Sequence, residues 1–344
     1  MSHLTSRQIH LTAYADPHGP TPESIFRLVE LPAPEPGPGE VLVRNIWMSC
    51  DPGARGGMTN KKGERVALYP LDAPPPAGAI GQVVASNHPS LKVGDYVRSS
   101  RGWREYFVAP APELRKWTGQ PGTSMTSFGA LGGAGHTAYI GLMVAGGGIL
   151  NGDTILVSAA AGSVGSYACQ IAKLKGARVV GMAGSDEKCA WLKTELGVDA
   201  TINYRTAGNL SAAVAKAVPE GIDLYFENVG GEHLIAAIDN MKMHGRIAVC
   251  GLIDRYSESP MPAPHNIVQV LYKRLRIQGF IQGDHPHLDA QFEQEMNHWI
   301  NKGAIKSFET IYEGIENAPR AYAGLFTGAN IGKTLVRLGP DPAV

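Results

Sequence analysis

The chain has 344 residues, more than one compact core usually holds, so its length predicts two domains. Lysine and arginine number 31, as do aspartate and glutamate, and this neutral balance excludes a strongly basic nucleic-acid binder and a polybasic membrane anchor. The hydrophobic fraction of 44 % excludes a disordered chain, and 42 glycines with 24 prolines favour turns and β-strands over a helical bundle. The expected partner is therefore a small molecule.

The cysteines and the N-terminal residues indicate the cellular compartment. The four cysteines are spread widely, without the spacing of a metal knuckle or a redox dithiol, so we interpret them as reduced core residues. Residues 1–14 lack the regions of a signal peptide, and no window approaches the roughly 18 apolar residues of a membrane span. These features predict a cytoplasmic protein with neither a membrane nor a nucleic-acid partner.

The first part of the chain is typical of a compact β domain. Short runs of β-branched and apolar residues alternate with turn signals about every ten residues. The predicted strands lie in residues 24–31, 41–49, 78–86 and 103–109, with a turn in residues 91–97. A lone strand in residues 331–338, close to the C-terminus, is expected to return to this domain.

The pattern changes near residue 128, where a glycine-punctuated helix precedes the continuous apolar strand TILVSAA. Strands and helices then alternate, which predicts an α/β fold with a doubly wound parallel sheet. We place this domain in residues 128–308, and the β-rich domain in residues 1–127 and 309–344.

A dinucleotide fingerprint follows the strand TILVSAA and opens a helix, although Ala160 replaces its first glycine. In this position free N–H groups and the helix dipole would bind a pyrophosphate. The predicted cofactor contacts are Ala161, Gly162, Ser163, Val164 and Gly165. The alternative is an ordinary glycine-rich turn between a strand and a helix.

The next strand indicates which nicotinamide cofactor binds. An acidic residue that holds the ribose 2′-hydroxyl is expected at its end, but Gly184 and Ser185 stand there. Lys188 lies one helical turn further on, and Tyr204 and Arg205 end the third strand, so the region can form a cationic pocket for a 2′-phosphate. These residues predict NADPH rather than NADH. The alternative is that Lys188 is a solvated helix residue.

Several strings together resemble a known family. They include AAAGSVGSYACQIAKLKGARVVGMAGSDEK, MSCDPGARGGM, FENVGGE, MHGRIAVCG and GANIGKTLVRL. They are similar to the zinc-independent medium-chain dehydrogenase/reductases of the leukotriene B4 12-hydroxydehydrogenase or prostaglandin reductase family, which includes alkenal double-bond reductases and bacterial curcumin reductase. The resemblance implies a GroES-like β domain, a Rossmann domain, a homodimer, and NADPH-dependent reduction of the carbon-carbon double bond of α,β-unsaturated ketones or aldehydes.

The resemblance also implies roles for single residues. Tyr256 matches a tyrosine near the nicotinamide and is the predicted catalytic residue, a hydrogen-bond donor to the substrate carbonyl or the cofactor ribose. Asn330 matches an asparagine that contacts the cofactor. Asn228, Cys250 and Gly251 end strands at the edge where ligands of doubly wound sheets bind, and are predicted cofactor contacts. Tyr256 can instead be a loop aromatic, Asn330 a turn residue and Cys250 a packing residue.

The sequence departs from the family at two predicted substrate-pocket positions. Gly53 replaces a tyrosine that faces the nicotinamide, which would widen the pocket, and His136 replaces an apolar residue. His136 can also be a buried core histidine. Arg55 matches the family motif and is interpreted either as a loop anchor or as a catalytic group.

No metal is expected, because the segment GAIGQV lacks the His-Glu pair of the zinc-dependent relatives. Three alternatives to an enone reductase stay open. They are a quinone reductase of the zeta-crystallin type, an NADPH-binding sensor or structural protein with little turnover, and a zinc alcohol dehydrogenase.

Overall fold

The computed structural model describes residues 4–59, 67–117, 129–256 and 263–341, without the side chains of residues 255 and 256. The chain forms two compact units. The first contains Met1–Met125, Glu309–Asn330 and Thr334–Val344, and the second contains Thr126–Phe308 and Ile331–Lys333.

The described strands are β1 (Thr5–Leu11), β2 (Phe26–Pro32), β3 (Glu40–Ser49), β4 (Ala79–Ser86), β5 (Tyr96–Ser99), β6 (Tyr106–Pro110), β7 (Arg115–Lys116), β8 (Thr154–Val157), β9 (Arg178–Ala183), β10 (Ala200–Asn203), β11 (Ile222–Glu227), β12 (Met241–Val249), β13 (Arg276–Gly279), β14 (Glu309–Glu313) and β15 (Lys333–Arg337). The α-helices are α1 (Gly133–Ile140), α2 (Ser163–Leu174), α3 (Asp186–Leu196), α4 (Leu210–Ala217), α5 (Gly231–Asn240), α6 (Val268–Tyr272), α7 (Asp289–Asn301) and α8 (Ala318–Thr327).

The first unit is built on a sheet with the strand order β14-β15-β3-β4-β5-β7, in which β6 also pairs with β3. Strand β3 pairs antiparallel with β4, β6 and β15. Its alternate residues Val41 and Val43 are fully buried and pack with Val83 and Phe107. The predicted β-rich domain is therefore present, and β15 near the C-terminus joins its sheet, as the sequence pattern indicated.

The second unit is a six-stranded sheet with the order β10-β9-β8-β11-β12-β13, and each of its paired strands is parallel. Strand β8 lies in the middle because its residues are apolar on both faces. Ile155 and Val157 enter the core on one face, and Leu156 enters the core on the other. Burying each such side chain contributes about 1.5–3 kcal/mol. This sheet confirms the predicted doubly wound α/β fold.

The strand order determines where a ligand of this unit would bind. Strand β9, which follows β8 in the chain, lies on one side of β8, and β11 lies on the other side of β8. In open parallel sheets the crevice at this change of direction, beyond the carboxyl ends of the strands, is the usual ligand site. We call this rim of the six-stranded sheet the carboxyl edge, and the opposite rim the amino edge.

The predicted helix after residue 128 differs in one detail from a regular α-helix. Helix α1 continues into a wider π-helical turn, Gly141–Ala145. A Cβ atom on Gly141 would lie 2.5 Å from the Phe226 ring and 2.6 Å from the Phe280 ring, so only glycine fits between these rings. Among the helices that the structure describes, none has the length and apolarity needed to cross a bilayer.

Candidate active site

The loop between β8 and α2 forms a cradle of backbone groups. Gly162 is the N-cap residue of α2, and its N–H donates to the Ala159 carbonyl at 2.9 Å. A Cβ atom on Gly165 would lie 2.3 Å from the Ala159 oxygen, so helix and loop can approach this closely only with glycine there. The Ser163 hydroxyl is buried and has no hydrogen-bond partner among the described residues. The free N–H groups of the first helical turn and this hydroxyl can bind an anion.

The ends of β9 and β10 bring the predicted cationic residues together. A Cβ atom on Gly184 would lie 2.7 Å from the Tyr204 hydroxyl and 3.3 Å from Arg205 Nε, so a larger residue would fill this corner. Ser185 caps α3, because its Oγ accepts from the Lys188 N–H at 3.2 Å. Burial lowers the pKa of Lys188, and the nearby Arg205 cation lowers it further. Two positive groups therefore face one small corner.

An acidic residue of the same helix, Asp186, has a hydrogen-bond partner at the end of β10. Asp186 stands in the first turn of α3, where it complements the helix dipole. Its Oδ1 accepts from Asn203 Nδ2 at 2.7 Å. Asp186 therefore contributes to the start of α3 and accepts from an amide at the end of β10.

The end of β11 contains a residue that the sequence analysis did not single out, Glu227. Its side chain is fully buried, and its Oε1 accepts from the hydroxyls of Tyr225 (2.9 Å) and Ser158 (3.1 Å). The same oxygen accepts from the N–H groups of Val229 (2.6 Å) and Gly230 (3.0 Å). Burial raises the pKa of this carboxyl group, against the effect of these hydrogen bonds. The sequence signal was an acidic residue at the last position of an apolar strand.

Three predicted cofactor contacts surround Glu227. The Asn228 side-chain amide donates to the Ser158 carbonyl at 2.7 Å. The N–H groups of Cys250 and Gly251 donate to the Glu227 carbonyl at 2.9 and 3.1 Å. Burial raises the pKa of the Cys250 thiol to about 12, and Glu227 adds to the rise, so Cys250 is not a reactive thiolate.

The predicted catalytic residue Tyr256 ends a 3-10 turn, Ile253–Tyr256. The N–H groups of Ile253 and Asp254 donate to the Asn228 and Val229 carbonyls at 3.2 and 3.0 Å, so the loop after β11 anchors this turn. The Tyr256 side chain lies outside the described part of the structure. Its catalytic role stays a prediction.

His136 packs against another helix of the same unit. Its ring stacks on Phe292 of α7 with centroids 4.5 Å apart, and its Nε2 lies 3.4 Å from Asp289 Oδ1. Burial lowers the pKa of His136, which favours the neutral imidazole. These contacts favour the alternative of a core histidine, and the substrate-pocket role stays a prediction.

Gly53 and Asn330 belong to the first unit. Gly53 lies in the 3-10 turn Pro52–Met58, and a Cβ atom there would meet no atom within 4 Å. Arg55 in this turn is buried, and its guanidinium donates to Thr21 Oγ1 at 3.0 Å and to the carbonyls of Asp16 and Gly19. These bonds give Arg55 the loop-anchoring role. Asn330 follows α8, and its cofactor contact stays a prediction.

Among the described residues there is no group of three or more His, Cys, Asp or Glu side chains that could hold a metal ion. All four cysteines are free thiols.

Comparison with known proteins identifies relatives over nearly the whole chain. Residues 7–117 match the family model described as the N-terminal domain of oxidoreductase, and residues 163–302 match the one described as zinc-binding dehydrogenase. The chain is 39 % identical to the NADPH-dependent curcumin reductase of Escherichia coli K12 over 339 residues, which cover 94 % of this chain and 95 % of the relative.

A plant enzyme and a solved structure are similarly related. The chain is 39 % identical to the NADP(+)-dependent 2-alkenal reductase of Nicotiana tabacum over 314 residues, 91 % of each protein. The crystal structure of CurA in complex with NADPH from Vibrio vulnificus has a TM-score of 0.90 and 37 % identity, and the match covers 97 % of this chain and 100 % of that chain. The resemblance seen in the sequence is therefore confirmed, and the protein belongs to the medium-chain dehydrogenase/reductases, in the family of curcumin, 2-alkenal and prostaglandin reductases.

Proposed function

We propose that this protein is an NADPH-dependent oxidoreductase that reduces the carbon-carbon double bond of α,β-unsaturated ketones or aldehydes. The observation that carries the proposal is the corner beside Gly184, where Tyr204, Lys188 and Arg205 converge and no acidic residue ends β9. The named relatives are an NADPH-dependent curcumin reductase and an NADP(+)-dependent 2-alkenal reductase, which supports this class of substrate and this cofactor. When bound, NADPH supplies the hydride that adds to the β-carbon of the substrate.

The residues at the carboxyl edge fit this cofactor. The first-turn N–H groups of α2, with Ala161, Gly162, Ser163, Val164 and Gly165, would hold the pyrophosphate. Gly184, Ser185, Lys188, Tyr204 and Arg205 would hold the 2′-phosphate, where a charge-assisted hydrogen bond contributes about 1.5–3 kcal/mol. Asn228, Cys250, Gly251 and Asn330 would contact the ribose and nicotinamide half.

We assign to Tyr256 the stabilisation of the enolate that forms during hydride transfer. A hydroxyl that donates to the substrate carbonyl stabilises the negative charge on that oxygen as the hydride adds to the β-carbon. Tyr256→Phe should therefore lower turnover while NADPH affinity stays nearly unchanged. Unchanged turnover on every substrate would remove Tyr256 from the mechanism.

We assign substrate binding to the first unit, and all the proposed cofactor contacts except Asn330 to the second. Gly53 leaves open space where the family has a phenol, so we expect bulkier substrates to be accepted. We also propose that the reaction requires no zinc, since GAIGQV lacks the His-Glu pair and the described residues offer no ligand cluster. Four free thiols support a cytoplasmic location.

We propose a second copy of the chain as the macromolecular partner. Strand β13 comes last in the strand order of the described six-stranded sheet, and Leu271 and Tyr272 of the neighbouring α6 are 71 % and 61 % exposed. An edge strand beside exposed apolar side chains favours pairing with a second sheet edge. Light scattering should give twice the chain mass, and Leu271→Arg should give the monomer. A monomeric wild-type protein would contradict this.

The test of the function is NADPH oxidation, followed by nicotinamide absorbance, with linear enals, cyclic enones, aryl enones and quinones. NADH is the control cofactor. We expect turnover of enals or enones with NADPH preferred. Turnover of quinones alone would favour the quinone reductase, and tight NADPH binding without any turnover would favour the sensor.

A further inference from the structure

The buried carboxyl group of Glu227 has an unusual set of partners. Its Oε1 accepts from two hydroxyls and two backbone N–H groups, so none of these donors carries a charge. Its Oε2 is buried and has no hydrogen-bond partner among the described residues. An unsatisfied buried oxygen destabilises the fold by about 1–3 kcal/mol, so a contribution to stability does not explain a carboxyl group at this position.

Three of the four donors to Glu227 lie in two different loops of the carboxyl edge, and the fourth, Tyr225, lies in β11. Ser158 begins the loop after β8, which contains the phosphate-binding glycines. Val229 and Gly230 lie in the loop after β11, the strand that pairs with β8. The Ser158 hydroxyl also accepts from the Asn228 N–H at 2.8 Å. One carboxyl group therefore joins the two loops that border the central crevice.

The loop after β11 also contacts the turn that contains the proposed catalytic tyrosine, which follows β12. The carbonyls of Asn228 and Val229 accept from Ile253 and Asp254 in the Ile253–Tyr256 turn. A shift of the Asn228–Gly230 loop would therefore move this turn as well. A displacement of about 1 Å at a reacting centre can cost roughly a hundredfold in rate.

We propose that Glu227 is a positioning residue, which fixes the loop after β11 relative to the loop after β8 and so places the nicotinamide half of the cofactor and the Tyr256 turn. The inference rests on the proposed function. The adenosine 2′-phosphate corner at Gly184, Lys188 and Arg205 lies at the ends of β9 and β10, which are on the opposite side of β8 from β11. Loss of Glu227 should therefore affect the two halves of the cofactor unequally.

The test compares the affinities of NADPH and adenosine 2′-monophosphate in the same variants. Glu227→Leu removes both acceptors, and we expect NADPH affinity to fall tenfold or more, while adenosine 2′-monophosphate binds within about twofold of wild type. With an enone substrate, kcat should fall as well. Glu227→Gln keeps an acceptor for the loop N–H groups and should restore NADPH affinity to within about threefold.

A matched control is Asp153→Asn, which changes a buried carboxylate at the amino edge of the same sheet. Asp153 pairs with Arg246, so this variant should lose thermal stability and yet bind both nucleotides as wild type does. Equal losses for both nucleotides in Glu227→Leu, or no loss for either, would overturn the inference.

Two further outcomes are decisive. If Glu227→Leu fails to fold, Ser158→Ala removes one link between the loops and should weaken NADPH binding about threefold without changing that of adenosine 2′-monophosphate. Unchanged NADPH affinity in that variant would overturn the inference. A wild-type protein that does not bind NADPH at all would instead overturn the proposed function, and the inference with it.

Discussion

The two edges of the six-stranded sheet differ in whether their polar and charged side chains are paired. At the amino edge, each of three carboxylates accepts from a cationic side chain and from a backbone N–H group. These pairs are Asp153 with Arg246 at 2.5 Å, Asp223 with Lys242 at 2.7 Å, and Asp199 with Lys173 at 2.9 Å. Each of these three carboxylates is therefore paired with groups of the protein itself.

The carboxyl edge keeps polar groups without partners among the described residues. They are Ser163 Oγ, Glu227 Oε2 and His233 Nε2. Here Lys188 and Arg205 approach one another, which is unfavourable for two cations. Local costs of this kind are expected where a fold gives up stability for ligand binding. The difference between the edges can be tested at single residues.

The largest expected effect follows from Gly165→Ala. The new methyl group would lie 2.3 Å from the Ala159 carbonyl oxygen and 2.9 Å from Ala160 Cα, so α2 would have to move away from the phosphate loop. We expect a loss of about 3 kcal/mol in unfolding free energy, measured by urea titration, and loss of NADPH binding. Gly251→Ala is the control, because its Cβ would make an ordinary 3.5 Å contact. Equal stability of the two variants would contradict the close packing.

The second effect concerns the cation of the carboxyl edge. Lys188→Ala should weaken NADPH binding tenfold to a hundredfold, the equivalent of about 1.5–3 kcal/mol, with little change in NADH binding. Titration of both cofactors by nicotinamide fluorescence measures this. Lys193→Ala, in the last turn of the same helix, is the matched control. Equal losses for NADPH and NADH would mean that Lys188 supports the fold instead.

The sequence predicted what depends on local pattern and strand order. The apolar run of β8 predicted a central strand, and the alternation after it predicted the parallel sheet. Because the carboxyl ends of parallel strands meet at one edge, the juxtaposition of Gly184, Tyr204 and Arg205 followed from their positions at strand ends. The contacts of these residues with a cofactor remain predictions.

Contacts between distant parts of the chain could not be predicted. The sequence shows Glu227 as an acidic residue at the end of an apolar strand, but it does not show that Ser158, 69 positions away, donates a hydrogen bond to it. For His136 the sequence left two roles open, a pocket residue and a core histidine, because its stacking partner Phe292 lies on a helix far along the chain and gives no local signal at residue 136. No periodicity in one sequence encodes such pairs.

The third effect is a dependence on pH at the carboxyl edge. Burial lowers the pKa of His233 to about 4 from 6.5, so below pH 6.5 the unfolded chain binds a proton that the folded chain does not. The contribution of His233 to the unfolding free energy is therefore unchanged above pH 6.5 and becomes less favourable as the pH falls towards 4. Between pH 7 and pH 5 this residue should account for about 2 kcal/mol of lost unfolding free energy. His233→Phe keeps the ring contact with Tyr204 and should remove that part of the loss. Parallel stability curves for both proteins would contradict this.

The smallest effect is expected from Lys173→Ala, the amino-edge counterpart of Lys188→Ala. Lys173 and Asp199 are each about a third exposed, so their ion pair is screened by water and should contribute less than about 1 kcal/mol. Asp199 also keeps its bond from the Val179 N–H at 2.7 Å, which limits the loss further. Urea unfolding should therefore show a small decrease, and NADPH titration should show none. A change confined to a screened surface pair transmits little free energy through the sheet, so it should leave NADPH binding unchanged. A fall in NADPH affinity of more than about threefold would contradict this and would mean that charge at either edge supports cofactor binding.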